Sequence, residues 1–481
     1  MRAFIEESFP IKEVSEISRK EKNIRHGHIS TLHIWWARRP LAASRATSYA
    51  ALIPAVGDVE EWEKRKQFII ELAKWENSLN KHIIEKARKD IVEANGKAPK
   101  VLDAFAGGGS IPLEALRLGC EVFAVEYNPV AVLILKCTLE YPQKFGKKLV
   151  DEVKKWGEWV LEEARKELKD FYPEDELESN ALSLEMENKK EKMAPVGYIW
   201  ARTIPCQNPS CNAEIPLMRQ FWLAKKDKKK IALMPFVEGG EVKFKIVGDG
   251  YEEMPANFNP EKGTVARAVA NCLVCGSTVD DKTVRKLFQQ GKSGQRMIAV
   301  VLNSKKGKIY RIATQKDIDA YRKAEEYLKE KRAKLMEEWG IDPVPDERII
   351  TPCHEVDRLP MYGMPTWGDL FNSRQKLALI TFAEKVRNAY SKMIAEGMDE
   401  EFAKAVVSYL ALVLDRLADK NSVLCRLISQ TEAVGFTYGR QALPMVWDYL
   451  EGNPILESFG VFVGELESAE LILEHLTSIN P

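Results

Sequence analysis

No stretch of this chain approaches the roughly 18 consecutive apolar residues that a membrane-crossing helix needs. The best run, around Ala405–Leu414, is short and ends at Asp415, so no membrane partner is expected. Net charge is missing too. Lys+Arg and Asp+Glu stand at 71 each, so overall charge gives no pointer to nucleic acid, and any basic surface must be local. The amino terminus carries Glu6 and Glu7 where a secretion signal needs an apolar segment. These absences predict a cytoplasmic protein. In a reducing compartment, close pairs of cysteines argue for metal rather than disulfide. No internal repeat of fixed period is visible. At 481 residues the chain should hold more than one domain, with about 100–200 residues in each.

What is present centres on residues 100–128, K-V-L-D-A-F-A-G-G-G-S-I-P-L-E-A-L-R-L-G-C-E-V-F-A-V-E-Y-N. The pattern predicts a strand ending at Asp103, a turn through Gly107, Gly108 and Gly109, a helix capped by Ser110, and a strand from Glu121 to Val125 closed by Glu126. Consecutive glycines let the backbone take positive φ and approach a ligand where a Cβ would collide. An acid at the tip of the second strand, about 20 residues past the turn, is the arrangement that grips a ribose diol in Rossmann-like folds. Here the turn reads D-x-F-x-G-G-G rather than G-x-G-x-x-G. An acid ahead of the glycines is badly placed for a pyrophosphate and well placed for an amino group. That favours S-adenosylmethionine over NAD. The bland alternative is a βαβ turn without a ligand.

Residues 33–46, H-I-W-W-A-R-R-P-L-A-A-S-R-A, bring two tryptophans next to Arg38 and Arg39. Such a pairing can supply both stacking and phosphate contacts. It can equally mark a helix start with one indole in the core and solvated arginines, and composition alone does not choose. Pro40 predicts a break followed by a helix over Leu41–Leu52. Residues 58–95 and 147–170 read as amphipathic helix, and 173–193 as a charged linker.

Past residue 198 the pattern changes to short strands and turns. Cys206 and Cys211 (C-Q-N-P-S-C) and Cys272 and Cys275 (C-L-V-C-G) are two close pairs on turns. Two such knuckles present the four thiolates of a tetrahedral structural zinc site, whose closed coordination sphere excludes catalysis at the metal. From 372 onward helices are expected at 372–396, 399–419, 421–430 and 440–451. Arg374 and Arg440 each precede a glutamine at a predicted helix start, where they could reach phosphates or bases, although two Arg-Gln pairs also arise by chance.

Taken together, H-I-W-W-A-R-R-P-L-A-A-S-R-A, D-A-F-A-G-G-G-S, E-Y-N-P-V-A, the four cysteines and G-M-P-T-W-G-D-L-F-N-S-R-Q (363–375) resemble the large adenine-specific DNA methylases that carry a zinc ribbon. The resemblance implies a partial Rossmann-like methyltransferase of the α/β class, with an inserted β-rich zinc ribbon and a largely helical C-terminal region. The implied divisions are 1–97, 98–145, 146–197, 198–314 and 315–481. It implies S-adenosylmethionine and zinc as cofactors and DNA as partner. Asp103, Phe105, Gly107 and Gly109 would line the methionine end of the cofactor, Glu126 the ribose and Asn128 the adenine edge. The segment from His33 to Pro40, with Trp35 and Arg38, would close over it. Arg38, Arg39, Arg374 and Arg440 are the candidate nucleic-acid contacts.

One departure stands out. Adenine amino-methyltransferases hold the extruded base with a (Asp/Asn/Ser)-Pro-Pro-aromatic loop, and this sequence contains no Pro-Pro pair. Only two strands of the parallel sheet can be placed, and a parallel sheet needs cover on both faces. A second polypeptide supplying the remaining strands and the loop is therefore expected, or else a truncated product. The alternatives are an RNA methyltransferase and a non-catalytic nucleic-acid-binding zinc-ribbon protein.

Overall fold

A computed structural model describes residues 2–24, 27–177, 191–304, 307–350, 358–439, 442–456 and 461–479. The chain forms two compact units. One comprises Met1–Trp159, Val386–Val413 and Glu465–Pro481, and the other Val160–Lys385 and Leu414–Gly464. Neither follows the linear divisions expected from the sequence, because each is assembled from separated segments.

In the first unit, helices Ile11–Glu21, Leu41–Leu52, Val59–Ala73 and Lys81–Asn95 enclose a core that includes Val14, Ala46, Tyr49, Ile69, Leu72, Ile84 and Ile91. The single helix expected over 58–95 is in fact two. The Asp58 carboxylate accepts from Glu61 N–H at 2.8 Å and starts the first. The Asn80 side chain caps the second, as a short polar N-cap does by satisfying a free helix N–H. Strand β1, Lys100–Asp103, and strand β2, Glu121–Ala124, pair in parallel with Lys100 opposite Glu121 and Asp103 opposite Ala124. Val101 and Val122 pack on the helical core. The opposite face stays bare, with Leu102 at 67% and Phe123 at 44% exposure. Among the described residues, these are the only strands of the parallel sheet.

Charges lie inside this unit. Glu114, on the helix Ser110–Arg117, is fully buried and meets Arg117 Nε at 3.0 Å and Arg45 Nη1 at 3.4 Å. Arg117 Nη2 also donates to His475 Nε2 at 3.2 Å, and the His475 ring stacks on Trp75 at 4.8 Å. Burial, then the charges of Arg117 and Arg45, push the His475 pKa down to about 3. The unfolded chain takes up a proton at its ordinary value near 6.5, and the folded one does not. This histidine's contribution to stability is thus complete above about pH 6.5 and declines as pH falls from there toward the folded value. His475→Gln should flatten the slope of unfolding free energy between about pH 6.5 and 5, above the carboxylate range. Denaturant titrations at several pH values measure that slope, and an unchanged slope would contradict the neutral, buried imidazole.

In the second unit, strand Pro195–Pro205 is the centre of an antiparallel sheet. It pairs on one side with Gly294–Ser304, which also pairs with Gly307–Ile312, and on the other with Asp448–Gly452. A three-stranded meander, Trp222–Lys226, Lys229–Glu238 and Glu241–Gly248, packs nearby. The helix expected at 440–451 is therefore not formed by its C-terminal part, since Asp448–Gly452 is a strand with Tyr449 opposite Trp200. The run between Pro444 and Pro454 is too short for a stable helix and fits a strand. The helix expected at 421–430 is replaced by a turn and the short strand Leu427–Ile428. Helices Ser373–Ala395 and Glu400–Lys420 form as predicted. No helix among the described residues is long and apolar enough to cross a membrane.

Candidate cofactor cradle and metal centre

The cradle grows out of the ends of β1 and β2. Val125 N–H donates to the Asp103 carbonyl at 2.9 Å and Ala106 N–H to the Val125 carbonyl at 3.1 Å, so the pairing runs on into the turn. Gly107 (φ 50°) and Gly109 (φ 77°) are left-handed, which glycine adopts without strain. A Cβ on Gly109 would also come within 2.9 Å of Leu135 Cδ2. Gly109 itself occupies the N-cap position. Ser110 is not the cap: it is the first helical residue, and its buried hydroxyl has no hydrogen-bond partner.

Glu126 organises the turn. Its Oε2 accepts from Gly107 N–H at 2.7 Å, and its Oε1 from Tyr127 N–H at 2.8 Å and Asn128 N–H at 3.3 Å. These backbone donors, Gly107 foremost, hold the carboxyl below its ordinary pKa. Asp103 Oδ1 accepts from Phe105 N–H at 3.1 Å, and Phe105 is 90% exposed. Asn128 Oδ1 accepts from Val130 N–H at 2.9 Å and caps the helix Pro129–Leu135.

Two side chains of the segment from His33 to Pro40 lie against the turn. A Cβ on Gly107 would meet Trp35 Nε1 at 2.7 Å, and one on Gly108 would meet Arg38 Nε at 3.1 Å. Arg38 Nη2 donates to the His33 carbonyl at 2.9 Å and His33 Nδ1 to the Ile34 carbonyl at 2.8 Å. Burial pulls the Arg38 pKa down to about 10, so it stays charged at neutral pH. Its Nε is buried with no hydrogen-bond partner. Trp35 packs against the turn, whereas Trp36 is 68% exposed and Arg39 lies on the surface. Pro40 precedes the helix Leu41–Leu52, whose first N–H groups, Leu41 and Ala42, donate to Glu21 at 2.7 and 2.8 Å. Glu21 also meets His28 Nε2 at 2.9 Å. The sequence reading missed Glu21, His28 and Glu114. A glutamate 20 residues before the helix it caps carries no local signal, although Glu114 on an otherwise apolar helix face was a visible one.

In the second unit the four cysteines converge. The Sγ atoms of Cys206, Cys211, Cys272 and Cys275 all lie within 4.8 Å of one another. Backbone bonds shape both knuckles: Cys211 N–H donates to the Asn208 carbonyl, Cys272 N–H to that of Ser277 and Gly276 N–H to that of Cys272, each at 2.9 Å. Four thiolates at this separation suit a tetrahedral metal such as zinc.

Arg374 corrects an expectation. It is fully buried, its Nε and Nη2 donate to Glu451 at 2.6 and 3.0 Å, and its guanidinium lies 3.9 Å from the Tyr198 ring centre. It cannot reach nucleic acid. Arg440 and Cys353 fall outside the described residues.

A family of proteins of unknown function, DUF1156, matches residues 8–77. That stretch carries Trp35 and Arg38, which lie against the glycine turn, Glu21 and His28, which pair at the start of the helix Leu41–Leu52, and Arg45, which pairs with Glu114. No curated protein and no solved structure matches the chain.

Proposed function

We propose that this chain is the cofactor-binding part of an S-adenosylmethionine-dependent DNA methyltransferase acting on the adenine amino group. The observation that carries the reading is the glycine turn between two parallel strands, tied at 2.7 Å to the acid that closes the second strand, beside a half-buried Arg38 whose Nε is buried without a partner. The donor set suits an amino-acid-bearing nucleoside. Asp103 can take an ammonium, Arg38 and the helix N-terminus a carboxylate, and Glu126 a ribose hydroxyl. When bound, the cofactor would supply an electrophilic methyl group on sulfur. The residues of this chain orient it, since in-line transfer depends chiefly on positioning. The bare face of β1 and β2, with Leu102 and Phe123 exposed, is where a covering layer from outside these residues would pack.

Calorimetry with the full chain tests this. S-adenosylmethionine should bind, and Asp103→Ala and Glu126→Ala should each weaken it by about tenfold or more, a loss of ~1.4 kcal/mol or greater. Their circular dichroism should match the parent. No heat with either S-adenosylmethionine or S-adenosylhomocysteine would remove the proposal. Labelled methyl transfer to duplex DNA against RNA then assigns the substrate.

A further inference from the structure

The second unit holds a cleft of about 680 Å³ that none of the expected sites uses. Its size falls within the ~300–1,000 Å³ common for small-molecule sites. Two guanidiniums, Arg219 and Arg426, line it together with the Asp448 carboxylate and the rings of Phe436 and Trp447. Both arginines act electrostatically on Asp448. Both are exposed, and among the described residues neither guanidinium is ion-paired within 4.0 Å. Asp448 Oδ1 accepts from the backbone N–H of Arg219 at 2.8 Å, which ties the acid to that wall of the cleft.

The rings are positioned rather than loose. Trp447 is held edge-on by Tyr362 at 5.4 Å and by Phe288 at 6.1 Å. Phe436 is 45% exposed, and Arg416 and Lys420 approach its ring at 5.5 and 5.3 Å. The wall formed by the hairpin Leu427–Ile428/Ala433–Val434 is clamped by Glu432, a buried residue with positive φ. Glu432 pairs with Lys226, with Lys229 at 2.7 Å and with the Tyr310 hydroxyl at 2.6 Å. A rigid wall, two uncommitted cations and aromatic surfaces describe a built site.

The geometry points to a nucleoside phosphate as its ligand, either free or as one residue of a nucleic-acid strand. Arginines bind phosphate through paired N–H donors, aromatic rings accept a base by stacking, and Asp448 can accept from a base N–H. Phosphate alone would leave the rings unused, and a carboxylate-rich peptide would meet Asp448. Burial raises the Asp448 pKa to about 6, so the acid is ionised and accepting at neutral pH. This reading is independent of the glycine turn and survives if that turn binds nothing.

Calorimetry of the full chain with AMP, GMP, inorganic phosphate and a short single-stranded DNA tests it. A nucleotide or the strand should bind more tightly than phosphate. Arg219→Ala/Arg426→Ala and, separately, Phe436→Ala should each weaken binding by about tenfold or more. All three positions are exposed, so thermal melting should match the parent, and any S-adenosylmethionine binding should persist. Comparable binding of mononucleotide and strand identifies a free-nucleotide site, and binding of the strand alone identifies a strand residue. Absence of heat with every probe, phosphate binding as tight as nucleotide binding, or unaffected variants would overturn the inference.

Discussion

Zinc removal, by chelation or by Cys272→Ser, should release one metal ion per chain and collapse the part of the second unit that the knuckles hold. The four sulfur atoms lie within 4.8 Å of one another, and Cys206 and Cys272 are 1% and 2% exposed. A metal there must displace the thiol protons and holds two separate knuckles together, so metal binding and local folding should be coupled. Structural zinc in small fingers carries an apparent ~10–16 kcal/mol of binding free energy at neutral pH. Here the knuckles also lean on the sheet around Pro195–Pro205, so the loss in overall stability should be smaller than that and still the largest of any single substitution. Elemental analysis should find zinc in the parent and none in the variant. Limited proteolysis should open first between residues 206 and 280. A metal-free preparation as protease-resistant as the parent would show that the cluster is only four packed thiols.

Breaking the buried Arg374–Glu451 pair should cost nearly as much. Both side chains are fully buried, with Nε to Oε1 at 2.6 Å. Glu451 also accepts from Trp200 Nε1 at 2.8 Å and Asn372 Nδ2 at 3.1 Å. Glu451→Ala strands a guanidinium among Tyr172, Tyr198 and Tyr321. Leaving one member of a buried ion pair alone costs about 3–5 kcal/mol. Replacing both with apolar residues of similar volume, as in Arg374→Met/Glu451→Leu, should recover much of that loss. Urea midpoints of the parent, Glu451→Ala and the double variant measure both effects. A double variant no more stable than Glu451→Ala would mean that the hydrogen bonds to Trp200 and Asn372, rather than the charge pair, dominate.

The same pair shows why only part of the molecule could be read from its residues. The β1–turn–β2 unit was legible because every signal in it is local: an apolar run, three glycines, a short amphipathic helix and a closing acid within 29 residues. The cysteine cluster was legible because each knuckle is local and the compartment argument joins the two. Arg374 was misread because Arg-Gln at a helix start looks alike exposed or buried, and its partner sits 77 residues away on a strand expected to be helical. Asp448–Gly452 is a strand because it docks beside Pro195–Pro205, where Gly197 leaves room and a Cβ would meet the Glu451 carbonyl at 2.7 Å. No pattern within those five residues announces that neighbour. Glu21 escaped for the same reason, since it caps a helix 20 residues away.

The indole of Trp35 fills the space that Gly107 leaves open. A molecule coming that close to the turn must first move the tryptophan, so its association should be slower than diffusion and limited by opening of the segment around it. Trp36 stands 5.6 Å away, tilted by 53°, close enough for the two indoles to interact optically. The protein thus carries its own clock for that opening, readable in stopped-flow fluorescence without any added label.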